Sequence, residues 1–344
     1  MIRIADLLDP LVPTEHWQRL KQVGVNDVVT LLDSGEQLLR WPGSGQATLV
    51  DLTGHPDGPA WSRRRLERLK SDYADAGLVL AAIEDTPPMD AIRLGGPGRD
   101  RQMDDFCELI RAMGALDIPV LCYNWIAVDS WARTRPDVPA RGGALVTEYD
   151  HHLAAGGQAR PRAACGEEQL WSNFEWFIER AVPVAEQSGV RLALHPDDPP
   201  ISPVRGVPRI MCSVAAFERV VQTAPSECNG ITLCQGNFAL LTDDLPALIR
   251  RFGAERLIHY VHFRDVRGTP EHFVETFHDD GPTDMLACLE AYAEIGYDGV
   301  LRPDHVPTLS GELNDRPGYA LAGRLHAIGY IEGLLKAVYR DEAR

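Results

Sequence analysis

The sequence predicts an α/β protein folded as a (β/α)8 TIM barrel with elaborated loops. Three observations predict it. Short apolar, β-branched runs alternate with longer helical patterns along the chain, the arrangement of parallel βαβ units. About eight such runs can be counted, the number a closed barrel requires. Several of the later runs end in histidine, cysteine or aspartate, and strand ends are where this fold carries its chemistry. The 344 residues fit one domain spanning 1–344, since a barrel takes about 250 residues and more with insertions.

The elements follow in order. Val25 to Leu32 reads as the first strand, after Gly24. Ala60 to Ala76 is a charged helix that Gly77 stops. Leu78 to Ile83 is the second strand, Arg101 to Leu116 a helix, and Ile118 to Tyr123 the third strand. Residues 133–166, rich in Pro, Arg and Gly, read as a long loop or lid over one face. Glu167 to Ser188 is a long amphipathic helix closed by Gly189, and Val190 to Leu194 is the fourth strand. Ile231 to Cys234 and Leu257 to Phe263 are the next two, with a helix over Leu240 to Phe252 between them. His272 to Phe277 supplies a short seventh strand, Thr283 to Ile295 a helix, and Val300 to Arg302 the eighth strand. Gly318 to Val338 is the closing helix. An open doubly wound sheet would place a Gly-rich phosphate loop after its first strand; Gly95-Gly96-Pro97-Gly98 comes too late for that.

Composition narrows the function. Apolar residues make up 44% and charged residues 24%, the profile of a globular protein with an ordinary core. A net charge of −16 repels nucleic acid and anionic membrane, so neither is an expected partner. A small anionic substrate stays compatible, because a metal and a few arginines reverse the field inside a pocket. The start, Met1-Ile2-Arg3-Ile4-Ala5-Asp6, lacks a secretory pattern, and no run approaches the ~20 apolar residues of a membrane span. Seven cysteines without a tight CxxC fit free thiols in a reducing cytoplasm. A homo-oligomer is compatible with this composition.

Four strand ends carry ligand-type side chains: Leu194-His195-Pro196-Asp197-Asp198, Leu233-Cys234-Gln235-Gly236, Val261-His262-Phe263-Arg264 and Arg302-Pro303-Asp304-His305. A lone buried cysteine is usually a small hydrophobe, and a lone histidine is often a satisfied core residue. Their joint occurrence at strand ends that converge on one mouth points instead to one divalent metal. The mixed N, S, O set of His195, Cys234, His262 and Asp304 suits Mn²⁺, Fe²⁺, Co²⁺, Ni²⁺ or Zn²⁺ better than Mg²⁺ or Ca²⁺. His259, three residues before His262, reads as structural.

With these residues on view, the chain resembles the D-mannonate dehydratase family. The stretches that carry the resemblance are Val190 to Pro200, Val207-Pro208-Arg209-Ile210, Leu233 to Gly236, His262-Phe263-Arg264 and Leu301 to His305. Arg316 to Tyr319, Gly323-Arg324-Leu325, Cys122 to Trp125 and Trp131 to Thr134 extend it. The resemblance implies a xylose-isomerase-like TIM barrel that removes water from D-mannonate to give 2-keto-3-deoxygluconate, usually with Mn²⁺. It implies His195, Cys234, His262 and Asp304 as metal ligands, and His305 and Tyr319 as the proton-transfer residues. Imidazole titrates near neutrality and suits either proton role, whereas the phenol would need a cation to lower its pKa. Arg209, Arg264 or Arg302 could fork onto the substrate carboxylate. Glu84 and His278 could line the pocket or serve as loop residues.

Three departures bear on the substrate. The family's His-His-Ile-Pro at the first strand end is here Leu31-Leu32-Asp33-Ser34. Its Gly-His after Arg-Pro-Asp-His is Val306-Pro307. The insertion around 133–166 is shorter. Together they predict a more apolar pocket, and a related hydroxy acid as a better substrate than D-mannonate itself. A metal-dependent isomerase, epimerase or carbon–carbon lyase on the same barrel is an alternative, since all remove a proton beside a metal-bound oxygen. A catalytically inactive, metal-stabilised binding protein is another; it would need neither His305 nor Tyr319.

Overall fold

The computed structural model describes residues 1–8, 11–32, 56–155 and 165–340. Asp33 and Ser34, and residues 156–164 of the expected lid, lie outside them. Among the described residues, twelve strands run in chain order: β1 (Arg3–Leu8), β2 (Asp27–Thr30), β3 (Val79–Ile83), β4 (Val120–Asn124), β5 (Arg135–Pro139), β6 (Leu145–Asp150), β7 (Arg191–His195), β8 (Asn229–Cys234), β9 (Ile258–Phe263), β10 (Val266–Thr269), β11 (His272–Glu275) and β12 (Val300–Pro303).

Eight of them close a barrel in the order β1-β12-β9-β8-β7-β4-β3-β2, every pairing parallel. The expected barrel is present, and its strand list differs from the expected one at two places. The run at Val25 is the second barrel strand, not the first. β1 escapes a hydrophobicity reading because Asp6 sits in its middle. That carboxylate is fully buried, and it is tolerated because His16 Nε2 lies 3.1 Å from its Oδ2 and Arg324 Nη1 donates to the same oxygen at 3.1 Å. Conversely, His272 to Phe277 is not a barrel strand. β11 belongs to a separate four-stranded antiparallel sheet, ordered β10-β11-β6-β5.

That second sheet also corrects the reading of 133–166 as a loop. The segment contains the antiparallel pair β5–β6, followed by a short helix over His151–Ala155. β5 reads Arg-Pro-Asp-Val-Pro, which looks like loop sequence. It lies at the sheet edge, where prolines cost no ladder hydrogen bond.

The barrel interior is filled by small and apolar side chains, among them Ala5, Leu7, Val29, Ala82, Val120, Cys122, Ala193 and Tyr260, with Tyr319 packed against them. Outside, helices cover the strands as the parallel connections require. The helix Glu167–Ser188 ends at Gly189, whose φ of 67° suits a left-handed cap. It packs Phe174 and Phe177 into an aromatic group with Phe106, Tyr123 and Trp125. Ser213, Asp244 and Asp284 cap the helices Val214–Thr223, Leu245–Ala254 and Met285–Glu294, each accepting a backbone N–H of the first turn. Gly230 is required in β8, because a Cβ there would stand 2.4 Å from Leu257 O and 2.5 Å from His259 Cε1. Among the described residues, no helix is long and apolar enough to cross a membrane.

Candidate active site

The C-terminal ends of the barrel strands surround a cavity of about 370 Å³. His195 ends β7, Cys234 ends β8, His262 is the penultimate residue of β9, and Asp304 and His305 follow β12. Strand register sets their proximity: Cys234 stands opposite His262 across β8–β9, and Arg302 stands opposite His262 across β12–β9. His195 Nε2 approaches His262 Nδ1 to 3.1 Å. The ligand atoms of His195, Cys234 and His262 all lie within 4.8 Å of one another. Asp304 is less closely drawn in. Its Oδ2 is 3.5 Å from His262 Nδ1, while Arg302 Nη1 donates to its Oδ1 at 2.8 Å and Arg264 Nε lies 3.3 Å from Oδ2. A second group of donors, Glu84, Cys122 and His262, is equally compact.

The electrostatics favour positive charge here. Burial raises the Cys234 thiol, but Arg264, with Nε 3.3 Å from Sγ, and His195 outweigh it and hold the thiol well below its usual range. Burial also works against Asp304, yet Arg302, His305 and His262 keep it ionised. His262 is caught between Glu84 Oε2 at 3.1 Å and Asp304 Oδ2 at 3.5 Å. Burial and Arg302 oppose a proton on this imidazole, and the two carboxylates outweigh them. Two imidazole nitrogens facing one another beside a thiolate and carboxylates need a cation between them, either a proton or a metal ion. The donors present therefore fit a borderline divalent ion.

His305 adopts a φ of 44°, rare for a residue with a side chain and a form of strain that clusters at functional sites. Its ring packs on Trp131, with centroids 4.9 Å apart, and meets Tyr319 edge-on at 5.5 Å. Its Nδ1 is surrounded by Glu275 Oε1 at 3.0 Å, Arg264 Nη1 at 2.8 Å and Arg133 Nη2 at 2.9 Å. Nε2 lies outside this group of contacts, 3.9 Å from Asp304 Oδ1. Burial, with Asp304 adding to it, pushes the Tyr319 phenol up, so it holds its proton.

The residues expected to bind substrate divide. Glu84 and Arg302 line the cavity, and they form a two-point pair: Arg302 Nε donates to Oε2 at 2.9 Å and Nη2 to Oε1 at 2.6 Å. Arg209 and Arg264 do not line it. Arg209 is buried against Asp197, 3.5 Å away, and Arg264 is enclosed by Asp198, Glu275 and Asp304. His278 is likewise buried off the cavity, its Nε2 2.6 Å from Phe263 O, and burial lowers its pKa to about 4, which keeps the imidazole uncharged at neutral pH. Of the three positions expected to make the pocket more apolar, Leu31 lines it and Leu32 and Val306 do not; Val306 packs where Gly323 leaves room.

Four residues given no role by sequence reasoning matter here. Arg133 and Asp198 were visible within the Trp131-Ala132-Arg133 and Pro196-Asp197-Asp198 elements. Glu275 was hidden by the assignment of its strand to the barrel. Trp131 became recognisable as a pocket residue only when the segment after β4 was seen to fold over His305.

The closed parallel barrel, with donor side chains gathered at its strand ends, is a (β/α)8 TIM barrel of the kind that carries catalysis at that mouth. D-Psicose 3-epimerase from Clostridium cellulolyticum H10 shares that fold, with a TM-score of 0.59 at 13% identity over 98% of this chain and 99% of that one, a likeness of fold alone. Within this class, the chain belongs to the D-mannonate dehydratase family of carbon–oxygen lyases: the family profile, D-mannonate dehydratase (UxuA), matches residues 16–163 and 160–344. The mannonate dehydratase of Thermotoga neapolitana is 34% identical over 354 residues, covering 93% of this chain and 96% of the relative. Mannonate dehydratase 2 of Halalkalibacterium halodurans is 34% identical over 82% of this chain and 89% of its own. The crystal structure of mannonate dehydratase from Streptococcus suis superposes with a TM-score of 0.86 at 29% identity, over all of this chain and 95% of that one.

Proposed function

We propose that this protein dehydrates D-mannonate to 2-keto-3-deoxygluconate in a metal-dependent reaction. The observation that carries the reading is the convergence, at one barrel mouth in a chain of this family, of His195, His262, His305 and Tyr319 on a single cavity, with Cys234 buried behind its wall opposite His262. His195, Cys234, His262 and Asp304 would hold one divalent ion, Mn²⁺ by the family resemblance. When bound, such an ion supplies Lewis-acid polarisation of substrate oxygens.

The chain's own residues supply the rest. Dehydration requires removal of the proton beside the carboxylate and delivery of a proton to the departing hydroxyl. His305 Nε2 and the Tyr319 hydroxyl are the two groups placed to divide those tasks, their rings 5.5 Å apart on the cavity wall. Glu275, Arg264 and Arg133 fix the far side of the His305 ring, and Trp131 shields one of its faces from water. Glu84 and Arg302, each neutralising the other, offer polar contacts to substrate hydroxyls. The seven unpaired cysteines suit a cytoplasmic setting.

The test is turnover of D-mannonate by the purified chain with and without added Mn²⁺, following formation of the 2-keto-3-deoxy acid. Mn²⁺-stimulated formation of that product is expected. Full activity after exhaustive chelation, or no product from D-mannonate while another hydroxy acid reacts, would overturn the reading.

A further inference from the structure

Resting on the reading that the substrate is a sugar acid, we propose that Arg93 binds the substrate's carboxylate. Two arginines line the cavity among the described residues, Arg93 and Arg302. Arg302 is spent: Glu84 takes its Nε and Nη2, and Asp304 takes Nη1. The buried arginines behind the wall do not face the cavity: Arg133 and Arg264 pair with Asp198 and Glu275, and Arg209 lies 3.5 Å from Asp197, which is buried as completely as it is.

Arg93 differs from all of these. It lies in the short helix Asp90–Leu94, after β3. Its Nη2 is held by neutral oxygens, donating to Asn124 O at 2.9 Å and to Asn124 Oδ1 at 3.2 Å. Asn124 pairs with His195 across β4–β7, so these bonds tie the guanidinium to the strand end next to the one that carries His195, on the wall of the same cavity. Its Nη1 has a single carboxylate contact, to Asp90 Oδ1 at a long 3.5 Å, and the Asp90 side chain is 59% exposed where that of Arg93 is 11% exposed. Burial pulls the Arg93 pKa down, and Asp90 and Asp197 do not restore it. A cation that is largely desolvated, incompletely neutralised and fixed by its neighbours is prepared for an incoming anion. A carboxylate accepting from Nη1 gains a charge-assisted hydrogen bond with little ordering left to do.

The test is calorimetric titration of the full chain, with Mn²⁺ present and in a His305→Asn background that suppresses turnover, comparing wild type at position 93, Arg93→Gln and Arg93→Lys. The ligands are D-mannonate and D-mannitol, which keeps the carbon chain and lacks the carboxylate. Arg93→Gln should weaken D-mannonate binding about tenfold or more, the size of a lost hydrogen bond to a charged group. Arg93→Lys should recover part of the loss, and metal content and Tm should stay at wild-type values. D-Mannitol affinity should not change. D-Mannonate binding within twofold of wild type in Arg93→Gln would overturn the assignment, as would equal losses for acid and polyol, which would make Arg93 a shaper of the wall. Failure of the His305→Asn protein with Arg93 intact to bind D-mannonate would instead count against the proposed function.

Discussion

Arg133 grips both carboxylate oxygens of Asp198, at 2.6 and 3.0 Å, with neither side chain reaching water. The same guanidinium donates to Glu275 Oε1 at 2.5 Å, which joins the segment after β4, the loop after β7 and the second sheet into one charged knot beneath His305. Asp198 and Glu275 are both ionised in this setting, since burial works against them but Arg133 and Arg264 outweigh it.

Removing one partner of such a knot leaves buried charge uncompensated. Arg133→Met should destabilise the protein by about 3 kcal/mol or more, because the desolvation of Asp198 and Glu275 is no longer offset. Denaturant unfolding of the variant against the parent measures this. A change within 0.5 kcal/mol, as for an ordinary surface substitution, would mean that Arg264 alone neutralises both carboxylates.

The metal cluster makes its own prediction. Protein prepared with Mn²⁺ should carry about one divalent ion per chain, and Cys234→Ala should lower the affinity by about 100-fold or more, since three remaining donors compete poorly with water. Elemental analysis after dialysis decides it. Full occupancy in Cys234→Ala would remove the thiolate from the site.

His305→Asn and Tyr319→Phe separate chemistry from folding. Each should retain metal and fold as the parent does, yet lose kcat by on the order of 100-fold, the usual contribution of an acid–base group. Steady-state kinetics on D-mannonate, beside metal analysis of the same preparations, is the measurement. Parental kcat in either variant would exclude that residue from proton transfer.

His259 predicts how stability depends on pH. It is buried at the opposite end of β9 from His262, its Nδ1 2.8 Å from Leu192 O, and burial lowers its pKa from 6.5 to about 4. Between those values the unfolded chain binds a proton that the folded chain refuses, so stability is complete above pH 6.5 and declines as pH falls toward 4. The loss amounts to roughly 3 kcal/mol for this residue. His259→Asn keeps a donor for Leu192 O and removes the titration. Its unfolding free energy should fall less than the parent's between pH 7 and pH 4.5. Parallel curves for the two proteins would show that His259 does not titrate in that window.

The sequence alone determined the fold class and the chemistry-bearing strand ends, because both are local signals. Alternation of apolar strands with helices is written in nearest-neighbour hydrophobicity. His195, Cys234, His262 and Asp304 each stand directly at or after a strand, and a parallel barrel delivers all its strand ends to one mouth. The first strand was illegible because the partners that let Asp6 be buried, His16 and Arg324, lie 10 and 318 residues away. The sheet formed by β10, β11, β6 and β5 was illegible for a related reason: an edge strand with two prolines looks like a loop until its neighbour is known. Charge pairing was decided by tertiary structure throughout. Arg93, Arg209, Arg264 and Arg302 are indistinguishable as sequence. Which of them are neutralised by carboxylates, and which faces the cavity with charge to spare, depends on distances of a few ångströms between residues remote along the chain, and only folding sets those distances.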